Sequence, residues 1–153
     1  MRHPPLQLRS KNGTQLSDCL DCTLPHELAQ WWAKTLGRDV EPQDAEFIAS
    51  MISKGFARED ETMQFNGALV WKSGAALTAT ATSPRLLFQE VPESKKVKNR
   101  LHLDVYVEEG TLDQAKDDLL ERGATFMHRG SQGPHHWYTF QDPEGNEFCV
   151  AER

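Results

Sequence analysis

Residues 99–107 read Asn99-Arg100-Leu101-His102-Leu103-Asp104-Val105-Tyr106-Val107, and they alternate at a period of two. Leu101, Leu103, Val105 and Val107 fall on one face, Arg100, His102, Asp104 and Tyr106 on the other, which is the pattern of a half-buried strand. A surface strand usually carries Lys, Thr or Ser on its second face. This one carries an imidazole and a carboxylate two residues apart, aimed at the same space. For a single histidine, a sheet face wet by solvent is the simpler reading; what raises His102 is its company at the far end of the chain.

Working outward, the same logic divides the chain into two similar halves. After the strand at 100–107, Thr111-Leu112-Asp113-Gln114 has the form of a capping box, and Leu112, Ala115, Leu119 and Leu120 make an apolar stripe that Gly123 stops. Strand-like runs follow at Ala124–His128, Trp137–Gln141 and Glu147–Ala151, with Asp142-Pro143-Glu144-Gly145-Asn146 as a tight turn between the last two. The first half has the same order. Leu16–Cys22 alternates as a strand; Thr23 can cap a helix with Pro25 in its first turn, in which Leu28, Trp31, Trp32 and Leu36 recur until Gly37. At this spacing the two tryptophans are read as core packing rather than as a ligand platform. Phe47, Ile48, Met51, Ile52 and Phe56 suit a short helix after Pro42, either a lid or an edge cover. Runs at Met63–Trp71, Ala75–Thr82 and Leu86–Val91 complete the half.

Two copies of strand-helix-strand-strand-strand, each too small to bury its own face, predict an α+β fold of paired βαβββ modules, module one over 16–92 and module two over 99–152. Together they would form one curved mixed sheet with helices outside, a cup, within a single domain spanning 16–153. Residues 1–15 are polar and basic with two adjacent prolines and predict an N-terminal arm; Leu6 and Leu8 ahead of Asn12-Gly13 leave open that it pairs as an extra edge strand. The segment Lys95-Lys96-Val97-Lys98 reads as a solvated linker or as a basic rim for an anionic ligand.

Composition narrows the function classes. The 153 residues are 38% hydrophobic, enough for one compact core, and the formal charge of -6 offers no basic surface for nucleic acid or an anionic membrane. No run approaches the ~18 apolar residues of a membrane span, and the start lacks the apolar segment of a secretory signal, so a cytoplasmic protein is expected. Three cysteines fit a reducing compartment better than a disulfide framework. Cys19 and Cys22 have metal-site spacing, but an odd separation on an extended strand sends them to opposite faces.

Two stretches carry a family resemblance. Asp142-Pro143-Glu144-Gly145-Asn146-Glu147-Phe148-Cys149-Val150, and Leu87–Glu93 leading through Lys98-Asn99-Arg100-Leu101-His102-Leu103-Asp104, resemble the glyoxalase, bleomycin-resistance and extradiol-dioxygenase (vicinal oxygen chelate) superfamily, in particular its glyoxalase-like subgroup. The resemblance covers roughly Leu16 to Glu152 and is weakest between Arg38 and Trp71. It implies a cup that, in metal-using members, holds a divalent ion through one residue on the first strand, one on the strand ending each module, and a His at the start of the second. Carried over, His102 matches the His, Ser17 falls at the first-strand position, Gln89 near the end of module one, and Cys149 where a Glu would stand. The implied metal site is incomplete, with His102 its one standard ligand, because Ser and neutral Gln are weak donors and a thiolate favours softer ions.

Glu147 alternates with Cys149, so His102, Asp104, Glu147 and Cys149 are expected to converge on the cup floor, with His102 and Glu147 as the candidate proton-transfer groups. A ligand-orienting polar cluster is favoured over a catalytic dyad. Gln89, Asn99, Arg100, Asp104, Trp137 and Cys149 are the candidate ligand contacts; Arg100 is placed at the mouth of the strand, for a carboxylate or phosphate or simply for solvent. His135, His136 and Trp137 follow Gly130-Ser131-Gln132-Gly133-Pro134, a flap over the cup or an ordinary hairpin. Three classes remain: a metal-free or metal-optional protein binding a small, partly apolar molecule, which is favoured; a metal-dependent lyase, isomerase or dioxygenase; and an interaction module. A homodimer is expected under all three.

Overall fold

The computed structural model describes residues 16–153; the arm expected over 1–15, and the Asn12-Gly13 hairpin within it, lie outside the described residues. Module one begins with β1 (Ser17–Cys22), which pairs in parallel with β5 (Arg85–Glu90), itself antiparallel to β4 (Gly74–Leu77). Helix α1 (Pro25–Leu36) crosses behind this sheet, burying Leu28, Ala29 and Trp32, and Gly37 ends it at φ 59°, where a side chain would be strained. Its start differs from expectation. Leu24, not Thr23, holds the cap position and makes no side-chain cap. The backbone N–H groups of Thr23 and Leu24 instead donate to the Glu144 carboxylate at 2.7 and 3.3 Å. A negative charge at a helix N-terminus meets both the unpaired donors and the dipole, so a residue 120 positions away replaces the local cap.

Helix α2 (Ala45–Ser53) is capped by Asp44, whose Oδ1 accepts from the Phe47 N–H at 2.9 Å. The run at 63–71, read as one strand, is two: β2 (Thr62–Phe65) and β3 (Ala68–Trp71) fold on each other about Asn66-Gly67, at φ 50° and 80°. Both turn residues have positive φ, as a tight primed hairpin demands. The run expected over 75–82 stops at Leu77, where the Arg38 guanidinium ties down the following turn by donating to the carbonyls of Thr78 and Pro84 at 2.6 and 2.7 Å.

Module two repeats the order. Strand β6 (Leu103–Val107) pairs in parallel with β9 (Glu147–Glu152), and the sheet continues through β8 (His135–Gln141) to β7 (Thr125–Gln132). Thr111 and Gln114 form the expected capping box on α3 (Leu112–Glu121). Strands β7 and β8 run on to a two-residue turn at Gly133-Pro134, so the segment 130–134 is a hairpin and His135 and His136 lie in a strand.

The fold is α+β with paired modules: β1-β5-β4 corresponds to β6-β9-β8, and β7 extends the second sheet by a fourth strand that the first lacks. Hydrogen bonding groups the strands into three ladders among the described residues, because β2 and β3 pair only with each other. One apolar cluster spans both modules: Trp32 and Phe88 from the first pack with Leu119, Phe140 and Phe148 from the second. Trp32 meets Phe148 edge to face at 4.9 Å and donates its Nε1–H to Asp142 at 3.0 Å, pinning the helix of one module to the closing turn of the other.

Candidate functional site

With α3 covering one face of the second sheet, strand alternation sends the other residues to an open face. There a cleft of about 480 Å³ is lined by residues of all four strands and by the approach to β6. The ladder register orders its floor. Asp104 stands opposite Cys149, Cys149 opposite Thr139, and Thr139 opposite His128, giving one polar row across the sheet. His102 precedes β6 and folds back so that its Nε2 lies 3.3 Å from Asp104 Oδ1. One donor atom each from His102, Asp104 and Cys149 lies within 4.8 Å of the others. Thr139 Oγ1 is 3.6 Å from Cys149 Sγ. Burial, then the charge of Asp104, pushes the Cys149 thiol above its ordinary value against the opposing hydrogen bond from Thr139, so it is protonated at neutral pH. Four of the six histidines, His102, His128, His135 and His136, face this one cleft.

Glu147 lines the cleft but does not offer it a free carboxylate. Only 8% exposed, it accepts from Lys95 Nζ at 2.9 Å and from the Asn99 N–H at 3.0 Å. Burial alone would raise its pKa; the Asn99 N–H and the Lys95 ammonium outweigh that and hold it below the ordinary carboxylate value. Asn99 spends its side-chain amide on Asn146 Oδ1 at 3.0 Å. Glu147 and Asn99 thus clamp the linker between the modules. Arg100 is exposed and does not line the cleft, and Leu101, expected on the buried face, is 74% exposed because the strand begins only at Leu103.

The module-one candidates lie on the other sheet. Ser17 donates its hydroxyl to the Arg85 carbonyl at 3.3 Å, and Gln89 Oε1 is 3.8 Å from Cys19 Sγ. Gln89 lines a separate cavity with Arg85 and Glu41, which pair at 2.8 Å. The fold therefore brings His102, Asp104, Cys149 and Trp137 together and leaves Ser17, Gln89 and Arg100 outside. Sequence reading put Tyr106 on the His102 face without giving it a role, and missed Thr139, His128 and Ala151, which follow from the alternation once the pairing of β7, β8 and β9 is known.

A family model described as a glyoxalase-like domain matches residues 17–151. The chain belongs to this family. Among solved structures, protein PA1353 from Pseudomonas aeruginosa is similar at 17% identity and a TM-score of 0.57, over 92% of this chain and 98% of that one. A member of the glyoxalase/bleomycin resistance protein/dioxygenase superfamily from Sphaerobacter thermophilus matches at 14% identity and a TM-score of 0.53, over 92% and 98%. The oxidase ChaP-H2 matches at 13% identity and 0.58, over 92% and 93%. At these identities the likeness is one of fold. No curated protein matches the chain.

The divalent ion of metal-using superfamily members can be tested against the residues present. The four-ligand pattern is not met: Ser17 spends its hydroxyl on the Arg85 carbonyl, Gln89 lines a separate cavity, and Cys149 replaces a carboxylate. The trio His102, Asp104 and Cys149 does fit an ion: nitrogen, oxygen and sulfur donors suit a borderline-soft metal such as zinc, cobalt or nickel better than magnesium.

Proposed function

We propose that this glyoxalase-like protein binds a small, partly apolar molecule in the cleft of its second module, without the complete metal-ligand set of metal-using superfamily members. The observation that carries this reading is the open face of the second sheet, a cleft of about 480 Å³ with an aromatic side chain and a polar row on its floor. That size and mixture suit a small ligand. The His102–Asp104 pair orients or exchanges a proton with the ligand's polar group, and Glu147 acts indirectly, by holding the linker beside the cleft. Titration with a panel of small carboxylic acids and phenols, followed by amide chemical shifts in the full chain, tests this. Shifts concentrated at Asp104, Trp137, Cys149 and Ala151 are expected, whereas shifts confined to module one, or none, would refute it.

A second reading is favoured by the convergence of three donors within 4.8 Å: a metal-dependent lyase, isomerase or dioxygenase of the superfamily. His102, Asp104 and Cys149 would hold the ion, which would supply Lewis-acid polarisation of a ligand oxygen. Cobalt(II) titration separates the readings. One equivalent bound with a thiolate-to-cobalt charge-transfer band, lost in Cys149→Ser and His102→Ala, establishes the metal site; no uptake leaves the metal-free reading.

Two further parts of the proposal concern assembly and place. A homodimer follows from the family resemblance, and light scattering on the purified chain should return twice the 17.4 kDa protomer mass. A cytoplasmic location is supported by three unpaired cysteines, Cys19, Cys22 and Cys149, and among the described residues no helix is long and apolar enough to cross a membrane. Fractionation of cells expressing the chain tests it.

A further inference from the structure

We propose that the cleft takes a planar aromatic ring, seated over Ala151 between the side chains of Trp137 and Tyr106. This rests on the cleft-binding reading and specifies the ligand class. Next to the polar row runs a second one: Gly130 stands opposite Trp137, Trp137 opposite Ala151, and Ala151 opposite Tyr106. Small and aromatic residues alternate across four strands. Adjacent strands are about 4.8 Å apart, so the two aromatic residues stand roughly 10 Å apart at their backbones with one methyl group between them. Because the indole lies over Gly130, one strand further out, the two rings flank a gap of roughly 14 Å, and a fused bicyclic ring lying flat on Ala151 would meet both edge to face.

Two features support a slot rather than a packing accident. Of the aromatic residues on this sheet, Phe126, Tyr138, Phe140 and Phe148 join the hydrophobic core, Phe148 also bordering the cleft, while Trp137 and Tyr106 line the cleft and stay outside the core. Gly130 also has a specific use. A Cβ there would sit 2.2 Å from Cε2 of Trp137 and 2.4 Å from its Cζ2 and Nε1, so the indole occupies the volume a side chain would take. The φ of Gly130 is not positive, so the indole and not the backbone requires glycine. Lying over Gly130, the indole leans away from Ala151 and leaves the slot open. On the far side, the Arg153 guanidinium lies 5.4 Å from the Tyr106 ring and steadies it. The polar row is two residues further along each strand, about 6.6 Å away, within reach of a hydroxyl or carboxylate on the ring.

The test compares naphthalene-2-carboxylate with decahydronaphthalene-2-carboxylate, which has the same skeleton and charge but is neither flat nor aromatic. Calorimetry should show the aromatic probe binding about tenfold more tightly, the gain two edge-to-face contacts provide, with the Trp137 indole N–H and the Ala151 amide shifting in nitrogen-resolved spectra. Ala151→Leu, which fills the slot from outside the core, and Gly130→Ala, which displaces the indole without touching the ligand, should each remove that preference while the thermal midpoint holds. Equal affinity for the two probes, unchanged in Ala151→Leu, would overturn the aromatic slot and leave the cleft reading intact. Absence of shifts at cleft residues with either probe would overturn both.

Discussion

Single side chains in this protein are governed by what their neighbours hold, not by their own chemistry. Glu147 is a carboxylate beside a cleft, yet Lys95 and the Asn99 N–H occupy it. Glu147→Gln should therefore destabilise the fold by about 1–3 kcal/mol, the cost of leaving a buried donor and a cation without their partner, measured by urea denaturation. The pH dependence has a definite sign. Because the folded state depresses this carboxyl, its contribution is fully present above the ordinary value of 4.5 and is lost as pH falls through the lower folded value. Glu147→Gln should flatten that acidic limb. Cys149 behaves in the opposite sense. Its thiol is raised by burial and then by Asp104, so alkylation by iodoacetamide at pH 7, followed by peptide mass spectrometry, should be slower than for free cysteine. Asp104→Asn should speed it.

Elements whose signals are local were legible in the sequence. The capping box Thr111–Gln114 set the start of α3 without help from the rest of the chain. Alternation placed β1, β5 and β9 to within a residue or so, because half-buried strands must repeat at two. The fold-back within 63–71 is the exception, since its signal, the Asn66-Gly67 hairpin pair, is local and was passed over between two strand-like runs. Elements decided at a distance were not legible. The start of α1 has no local cap because Glu144 supplies one from the other module. Glu144→Ala should cost about 1 kcal/mol, as loss of an N-cap does, and amide exchange should quicken at Thr23 and Leu24 ahead of the rest of α1.

Across the whole molecule, one core serves both modules, and Trp32 is its hinge point: 1% exposed, against Phe148, and bonded to Asp142. Calorimetry should show one unfolding transition for both modules. Trp32→Ala should lower stability by about 3–5 kcal/mol, with fluorescence and circular dichroism falling together. The sequence by itself determined the module order, the helices, the faces of the strands and the family, because periodicity and capping act between residues a few positions apart. The tertiary structure alone decided the site: that His102, Asp104 and Cys149 converge, that Glu147 is taken by the linker, that Gln89 belongs to another cavity, and that Ala151 leaves a gap between Trp137 and Tyr106. Those outcomes depend on distances of a few ångströms between segments tens of residues apart, set by strand register and the packing of one module against the other, which no local pattern encodes.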